Sequence, residues 1–304
     1  MKAAAFSSPG TPDVLQTMEF EDPQAGAGQV RVRVKAAGVQ PFDLALRSGW
    51  SPPPGITVQL PQIPGNEFAG VVDQVGEGVT GFSVGSEVIG YKMLTCYAEY
   101  VTVDAGQVVV KPQSMPWEVA GGLSGAGQAA YTGLKEIGAG RGDTVLIHAA
   151  AGAVGTIAVQ LAQAWGATVI GTTSERNHDY LRSLGAIPVA YGEGLADRVR
   201  ALAPHGIDAV LDGAGGDALR VSVELVRNRE RIGTLVGFDL AEELGIRPIR
   251  SQRSAARLAE LADLYEQGKL RLHIRSTFPL HQAADAHREV ETGHGRGKVV
   301  LTFD

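Results

Sequence analysis

The sequence predicts an α/β fold with two parts, a β-rich, partly open barrel and a doubly wound parallel sheet. Short strand-like segments separated by glycines fill the first third of the chain, as in small barrels. After Pro116, strand and helix patterns alternate, which indicates a parallel sheet covered by helices on both faces. A small-residue turn at residues 149–155 joins the first of these strands to a helix.

The composition indicates a globular protein and argues against several classes of partner. The chain has 304 residues, 44% of them hydrophobic, and a net charge of −6 without a basic run, so nucleic acid is not expected as a partner. No stretch of about 18 apolar residues and no signal peptide is evident, so we expect a cytoplasmic protein that does not enter a membrane. Cys96 is the only cysteine; it rules out an internal disulfide and is predicted to be a small buried side chain.

The β-rich part shows its clearest strand at residues 29–35. Valines alternate there with long polar side chains, so one face is predicted to be buried. Further strands are predicted at residues 68–75, 87–91, 97–103 and 108–111.

The second part starts with a helical segment at residues 117–137, which we expect Gly121, Gly122 and Gly125 to interrupt. An amphipathic helix is predicted at residues 253–267, and the tail is expected to rejoin the first part. The predicted domains are residues 1–115 with 269–304, and residues 116–268.

The turn after the strand at residues 144–148 is typical of a pyrophosphate site. In such a turn, small residues let the backbone approach the ligand, and N–H groups at the start of the next helix point at it. The G-x-G-x-x-G pattern is present with alanine in place of the first glycine. The residues predicted to hold the pyrophosphate are Ala150, Gly152, Ala153, Val154 and Gly155.

The next strand ends in Thr173, Ser174, Glu175 and Arg176. An NAD site places an acidic residue at this tip, whereas hydroxyl groups and a guanidinium suit the 2′-phosphate of NADPH. We therefore predict NADPH, with Thr173, Ser174 and Arg176 as ligands, although Glu175 argues mildly against it. The alternative is that Ser174 is a helix N-cap and Arg176 lies in an exposed first turn.

Four motifs in order resemble the medium-chain dehydrogenase/reductase superfamily, on its zinc-free quinone oxidoreductase (zeta-crystallin-like) branch. They lie at residues 65–70, 96–100, 148–155 and 297–301. The resemblance covers the whole chain. It implies a GroES-like catalytic domain split around a Rossmann domain, with the active site in the cleft between them.

The resemblance also implies what should surround the acceptor. Zinc-dependent relatives hold a metal with Cys, His and a further ligand, and the first two of these positions resemble Gln40 and Asn66 here. Because amides are poor zinc ligands, no metal is predicted. The candidate catalytic residues are Gln40, the first choice, then Asn66 and Tyr91, whose polar groups can polarise an acceptor oxygen. The family's tyrosine is replaced by Ala45, so protonation by water is an open alternative.

Further positions follow from the same resemblance. Thr132 and Phe238 are expected near the nicotinamide, and Tyr191 near the 2′-phosphate. The strand-tip glycines Gly213 and Gly237 also lie where open α/β sheets bind ligands.

Three charged or titratable residues are given structural roles. Lys298 is expected to be a solvent-exposed strand lysine, although its motif is one that can reach the cofactor. Glu67 is expected to be a buried carboxylate, and His148 a core histidine.

The predicted function is NADPH-dependent hydride delivery to a small-molecule quinone or α,β-unsaturated carbonyl without zinc. One alternative is a tailoring enoyl or enone reductase of a polyketide-like pathway, and another is a non-catalytic NADPH-binding protein. A homodimer is expected, because edge strands of the parallel sheet can pair across a two-fold axis. The sequence does not identify the physiological acceptor.

Overall fold

The computed structural model describes residues 1–293 and 295–304. The chain divides into two compact units. Unit 1 consists of Met1–Gly125, Ser254–Glu266 and Leu272–Asp304, and unit 2 of Ala126–Arg253 and Gln267–Arg271. This division differs from the predicted domain boundaries mainly at Ser254–Glu266, which groups with unit 1. The predicted domains, residues 1–115 with 269–304 and residues 116–268, stay a prediction.

The described residues form strands and helices in the following order. The strands are β1 Lys2–Ala5, β2 Gln16–Glu19, β3 Gln29–Val39, β4 Glu67–Val75, β5 Glu87–Tyr91, β6 Tyr100–Asp104, β7 Val108–Val110, β8 Thr144–Ile147, β9 Thr168–Thr173, β10 Ile187–Ala190, β11 Ala209–Asp212, β12 Ile232–Thr234, β13 Arg247–Pro248, β14 Ile274–Pro279 and β15 Lys298–Thr302. The α-helices are α1 Pro41–Arg47, α2 Trp117–Glu136, α3 Ala153–Ala164, α4 His178–Ser183, α5 Leu195–Leu202, α6 Asp217–Leu225, α7 Phe238–Leu244, α8 Ala255–Glu266 and α9 Ala283–Glu291. No helix among the described residues is long and apolar enough to cross a membrane.

Unit 1 is built on a mostly antiparallel sheet in the order β14-β15-β3-β4-β5-β7, with β6 paired to β3. The predicted alternation in β3 is confirmed, since Val30, Val32 and Val34 are buried in the core while Arg33 is exposed. The chain returns late in the sequence to complete this sheet, because β15 pairs with β3. The expectation that the tail rejoins the first part is confirmed.

Unit 2 is a six-stranded sheet in the order β10-β9-β8-β11-β12-β13, and every pairing in it is parallel. Numbered from β8, this is the 3-2-1-4-5-6 order of a Rossmann fold. The order reverses between β8 and β11, so the crevice at the carboxyl ends of these two strands is the expected ligand position. The predicted α/β fold with a doubly wound parallel sheet is confirmed.

Helix α2 corrects the prediction that glycines interrupt residues 117–137. The helix is continuous through all three positions. A Cβ added to Gly121 would lie 2.6 Å from the Cβ of Ala36. A Cβ added to Gly122 would lie 2.9 Å from Cγ of Lys298. These glycines let the helix approach its neighbours closely, and that packing outweighs a cost of about 1 kcal/mol per glycine in a helix.

Smaller differences concern strand ends and short elements. Strand β6 starts at Tyr100, not at residue 97. Strands β1 and β2 and helix α1 were not predicted. The two strands lack the valines and isoleucines that mark equally short predicted strands such as residues 87–91. Helix α1 has only seven residues, too few to show a helical period.

Candidate active site

The turn between β8 and α3 presents backbone N–H groups at the start of a helix. Helix α3 begins after Gly152, which has an extended backbone and makes no side-chain cap hydrogen bond. The first N–H groups of a helix have no partner within it, and with the helix dipole they favour an anion. This geometry suits a pyrophosphate and needs only residues of unit 2.

The turn requires glycine at position 155 because the backbone folds closely on itself. A Cβ on Gly155 would lie 2.4 Å from the carbonyl oxygen of Ala149 and 2.6 Å from Cα of Ala150. Ala149 has φ +54°, a conformation that costs a residue with a side chain about 1–3 kcal/mol. The backbone N–H of Ala149 donates to Oγ1 of Thr172 at 3.2 Å, which ties the turn to β9.

His148, which directly precedes the turn, is held by hydrogen bonds on both ring nitrogens. Its Nδ1 lies 3.2 Å from Oγ1 of Thr172 and its Nε2 lies 3.0 Å from Oγ of Ser222. Since Ser222 donates to the carbonyl oxygen of Ala218, its oxygen is free to accept from Nε2–H, and the Thr172 hydroxyl can donate to Nδ1. Burial lowers the pKa of His148 to about 4, so the ring is neutral, in keeping with a structural role.

The tip of β9 carries polar groups next to this turn. Ser174 precedes a short 3₁₀ helix, Glu175–Asn177, but its side chain makes no cap hydrogen bond. Its Oγ instead accepts from Nδ2 of Asn177 at 3.3 Å, and the Arg176 side chain is exposed. Tyr191 follows the neighbouring strand β10 and is 58% exposed. The helix-cap alternative for Ser174 therefore lacks its defining hydrogen bond.

A buried pair of side chains holds the tips of β11 and β12. The carboxylate of Asp212 accepts from two backbone N–H groups of the loop 213–216, at 2.9 and 3.0 Å, and from Oγ1 of Thr234 at 2.6 Å. The same Oγ1 accepts from the backbone N–H groups of Val236 and Gly237 at 3.1 and 3.0 Å. Asp212 and Thr234 are both fully buried, so one hydrogen-bonded pair fixes both loops.

The sequence pattern pointed to the glycines of these loops, Gly213 and Gly237, and not to the side chains that hold them. An Asp followed by glycines is a signal for a turn in which the carboxylate binds nearby N–H groups, and residues 212–215 carry it. Thr234 has no comparable signal, because threonine is common inside strands.

The structure gives Thr132 and Phe238 definite neighbours within unit 2. Thr132 is buried in α2, where its Oγ1 donates to the carbonyl oxygen of Gln128 at 2.7 Å and accepts from the backbone N–H of Gln252 at 3.2 Å. Phe238 begins helix α7, and the guanidinium of Arg250 lies 5.5 Å from its ring centroid. Their contact with a nicotinamide stays a prediction.

In unit 1, Gln40 and Asn66 are brought together as predicted for one site. Nε2 of Gln40 donates to Oδ1 of Asn66 at 2.7 Å and to Oε1 of Glu67 at 2.8 Å. Both amide hydrogens of Gln40 are therefore committed, and none is left for an acceptor oxygen in this arrangement. The prediction that Gln40 donates to the acceptor oxygen therefore conflicts with this arrangement, because both hydrogens of its amide nitrogen already bind Asn66 and Glu67.

Lys298 corrects another prediction, because it is 4% exposed and not a solvent-facing lysine. Its Nζ lies 2.7 Å from Oε1 of Glu67, which is fully buried as predicted. Oε2 of Glu67 accepts from the backbone N–H of Gly125 at 2.6 Å. A buried charge is tolerated only when it is paired and hydrogen-bonded, and Glu67 meets that condition on both oxygens.

Asp43 lies on the other side of Asn66. Its Oδ1 accepts from Nδ2 of Asn66 at 3.4 Å, and its Oδ2 accepts from the hydroxyl of Tyr97 at 3.0 Å and the backbone N–H of Gln40 at 3.0 Å. Burial raises the pKa of Asp43 to about 6, against the opposing effect of the Lys298 charge. The site therefore contains a carboxyl group with a raised pKa of about 6.

Tyr91, the third candidate, ends β5 directly opposite Glu67 on β4. Residues that face each other across antiparallel strands project to the same face of the sheet. Tyr91 is thus on the face that carries Glu67.

An open pocket of about 370 Å³ lies elsewhere in unit 1. It includes none of the predicted catalytic residues. Its lining residues are Thr57, Gln59, Leu60, Pro61, Gln62, Ile63, Met93, Leu94 and Thr95.

Comparisons with known proteins agree with this fold. Residues 26–136 match the family described as "Alcohol dehydrogenase GroES-like domain", and residues 184–301 match "Zinc-binding dehydrogenase". The human synaptic vesicle membrane protein VAT-1 homolog is 31% identical over 94% of this chain and 82% of its own length. The pikromycin polyketide synthase component PikAII of Streptomyces venezuelae is 33% identical over 91% of this chain, which spans 8% of that protein.

Solved structures give the same result over the full length. The quinone oxidoreductase from Coxiella burnetii has a TM-score of 0.88 and 32% identity, and the match covers 99% of each chain. The Escherichia coli quinone oxidoreductase complexed with NADPH has a TM-score of 0.87 and 26% identity, over 99% of this chain and 100% of that one. The chain belongs to the medium-chain dehydrogenase/reductase superfamily, on its quinone oxidoreductase branch. It is an oxidoreductase with a GroES-like and a Rossmann part.

The superfamily includes zinc-dependent members, but the residues at this site do not have the chemistry of a zinc site. Zinc is bound by thiolate, imidazole or carboxylate, whereas the two positions expected from the resemblance, Gln40 and Asn66, carry amides that are hydrogen-bonded to each other. The ammonium of Lys298 takes one oxygen of the neighbouring carboxylate. Among residues 1–293 and 295–304, no group of three or more His, Cys, Asp or Glu is arranged to hold a metal ion. The side chains present do not fit catalytic zinc.

Proposed function

We propose that this protein transfers hydride from NADPH to a quinone or an α,β-unsaturated carbonyl without zinc. The observation that carries the proposal is the β8–α3 turn, where uncapped N–H groups and the close packing at Gly155 suit a pyrophosphate. NADPH is bound by the similar Escherichia coli quinone oxidoreductase.

The residues of the turn would hold the cofactor's pyrophosphate, and the tip of β9 would hold its 2′-phosphate. Ser174 offers a hydroxyl that caps no helix, and the exposed guanidinium of Arg176 can pair with phosphate oxygens. When bound, NADPH supplies the hydride. With one proton added, a quinone becomes a hydroquinone and an enone becomes a saturated ketone, while NADPH becomes NADP⁺.

On the acceptor side, we assign hydrogen-bond donation to Asn66, with Tyr91 as a further candidate. The oxygen of Asn66 accepts from Gln40, so Nδ2, which also donates to Oδ1 of Asp43 at 3.4 Å, is its donor group. Negative charge that develops on the acceptor oxygen is stabilised by such preorganised donors. Gln40 then orients Asn66 and does not itself touch the acceptor.

The reductase of a polyketide-like pathway is the second candidate. Nearly the whole chain matches a segment of a pikromycin synthase component, and the hydride step on an enone would be the same. A protein that binds NADPH without turnover is the third candidate. We also propose a homodimer, formed along the edge strand β13 of the parallel sheet.

The test is cofactor consumption with NADPH and NADH in parallel, against one ortho-quinone and one aliphatic enone. We expect kcat/KM to be at least tenfold higher for NADPH. Arg176→Ala should lower kcat/KM for NADPH by about 10- to 100-fold, because a charge-assisted hydrogen bond contributes about 1.5–3 kcal/mol, and should leave NADH unchanged. Arg182→Ala, which removes an exposed arginine of the next helix, is the matched control.

The outcomes separate the candidates. The acceptor that is reduced distinguishes a quinone reductase from an enone reductase. Binding of NADPH without reduction of either acceptor favours the non-catalytic candidate, and a preference for NADH contradicts the assignment of Ser174 and Arg176.

A further inference from the structure

Arg198 lies in the first turn of helix α5, where the helix dipole disfavours a cation. The helix begins at Leu195, directly after Gly194, and the N-terminal end of a helix carries a partial positive charge. Leu195 and Val199 are buried against the core, whereas Arg198 is half-buried. The position of Arg198 is therefore explained by its contacts outside the helix and not by the stability of the helix.

Those contacts are carbonyl oxygens of the loop between β10 and α5. Nη1 of Arg198 donates to the carbonyl oxygen of Glu193 at 2.7 Å, and Nη2 and Nε donate to that of Ala190 at 3.0 and 3.3 Å. The carbonyl oxygens of Tyr191 and Gly192 lie 3.4 and 3.3 Å from Nη2, which shares its two hydrogens among three acceptors. One planar guanidinium thus binds four consecutive carbonyl groups.

The same loop lies beside the strand tip that we assign to the 2′-phosphate. Strands β9 and β10 are parallel, and Ala190 pairs with Thr173. The next residues, Tyr191 and Ser174, therefore leave neighbouring strands at the same edge of the sheet. Tyr191 is 58% exposed, so the direction of its side chain depends on the backbone that Arg198 holds.

We propose that Arg198 is a positioning residue that fixes the loop 190–193 so that the hydroxyl of Tyr191 binds the 2′-phosphate of NADPH. Its N–H groups point at carbonyl oxygens, so it acts through the loop and does not bind the phosphate itself. This inference rests on the proposed function, in which the tip of β9 receives the 2′-phosphate. Discrimination between NADPH and NADH then depends on a side chain of α5 as well as on β9.

The experiment measures the Kd of adenosine 2′,5′-bisphosphate and of 5′-AMP by calorimetry, for wild type and for Arg198→Met. The first probe carries the 2′-phosphate and the second lacks it. We expect the Kd of the bisphosphate to rise about tenfold in Arg198→Met, because one hydrogen bond to a charged phosphate contributes about that factor. The Kd of 5′-AMP should stay within twofold, since the rest of the nucleotide site is unchanged.

A double-mutant cycle with Tyr191→Phe, which removes only the hydroxyl, shows whether Arg198 acts through Tyr191. Tyr191→Phe should raise the Kd of the bisphosphate about tenfold in wild type and less than twofold in Arg198→Met, because a misplaced hydroxyl no longer contributes. Additive effects would mean that the guanidinium acts on the phosphate by its charge alone, and they overturn the proposal. An unchanged Kd in Tyr191→Phe alone also overturns it.

Arg200→Met is the matched control, because it removes an arginine of the same helix whose partners are the exposed Asp197 and Glu224. It should change the Kd of neither probe by more than twofold. Equal losses for both probes in Arg198→Met would indicate a general structural role and overturn the proposal.

The wild-type protein separates this inference from the proposed function. Equal Kd values of wild type for the two probes contradict the assignment of NADPH itself. A preference of wild type for the bisphosphate that Arg198→Met retains overturns only the role of Arg198.

Discussion

Asp43 shows how burial changes the behaviour of a single carboxyl group. It is fully buried and accepts hydrogen bonds from Tyr97, Gln40, Gly65 and Asn66, all of which stabilise the charged form. Loss of hydration outweighs them, so its pKa rises to about 6. The folded protein therefore binds a proton here over a pH range in which an unfolded aspartate has lost it.

The stability contributed by Asp43 should fall as pH rises. The folded-state pKa is about 6 and the usual value is 3.8, so the contribution is complete below about pH 4 and is lost by about pH 6. The free energy of unfolding of wild type relative to Asp43→Asn should fall by on the order of 3 kcal/mol over this window.

Urea unfolding at several pH values between about 4 and about 7 measures this difference. The buried His148 and His287, whose pKa values are lowered to about 4 and about 3, titrate equally in both proteins and cancel. A difference that stays flat, or rises with pH, would contradict the raised pKa.

At the level of single residues, motifs predicted the tight turn between β8 and α3 well and the neighbours of Lys298 poorly. Gly155 could be predicted because its neighbours in sequence define the turn. The partner of Lys298 lies near the other end of the chain, at Glu67. No local pattern distinguishes a strand lysine in solvent from one that meets a buried carboxylate.

Helix α2 shows that contacts between distant residues also decide how a whole element forms. Three glycines in a predicted helix indicate an unstable or interrupted helix when only helix propensity is considered. In the folded chain β3, Gln40 and Lys298 approach the helix closely at these glycines. Tertiary packing, which the sequence does not display, reverses the meaning of the pattern.

The strands β11 and β12 provide an element-level prediction. Thr234→Val removes the oxygen that accepts from Val236 and Gly237, and deprives Asp212 of one donor. The two loops should loosen together, and the KM for NADPH should rise about tenfold with little change in kcat. Steady-state kinetics with NADPH as the varied substrate measure this effect.

Thr168→Val is the control, because Thr168 is an exposed residue at the opposite end of β9. It should behave as wild type. A KM for NADPH that is unchanged in Thr234→Val would mean that the two loops do not contribute to cofactor binding.

At the scale of the whole molecule, the alternation of strands and helices predicted the parallel sheet because covering helices follow its strands along the chain. The antiparallel sheet of unit 1 was predicted only as a collection of strands. Its order depends on pairings such as Val299 with Val39, which join distant parts of the chain.

The two units should respond differently to the cofactor. A ligand at 100 times its Kd stabilises the native state by about 2.7 kcal/mol, and the proposed binding groups belong to unit 2. NADPH should therefore slow hydrogen exchange most strongly in residues 149–155 and in the loops after β11 and β12. Exchange measured by mass spectrometry, with Arg176→Ala as the comparison, tests this, and unchanged exchange in these segments would contradict the assigned site.

The late pairing of β15 with β3 has a consequence for synthesis on the ribosome. A growing chain contains all six strands of the parallel sheet, the last of them at Arg247–Pro248, before Lys298 has been translated. Domains generally fold as units during synthesis, so unit 2 can form while one edge of β3 still lacks its partner. Until the final strand arrives, the nascent protein exposes an open sheet edge, a known template for aggregation, and carries Glu67 without its counter-charge.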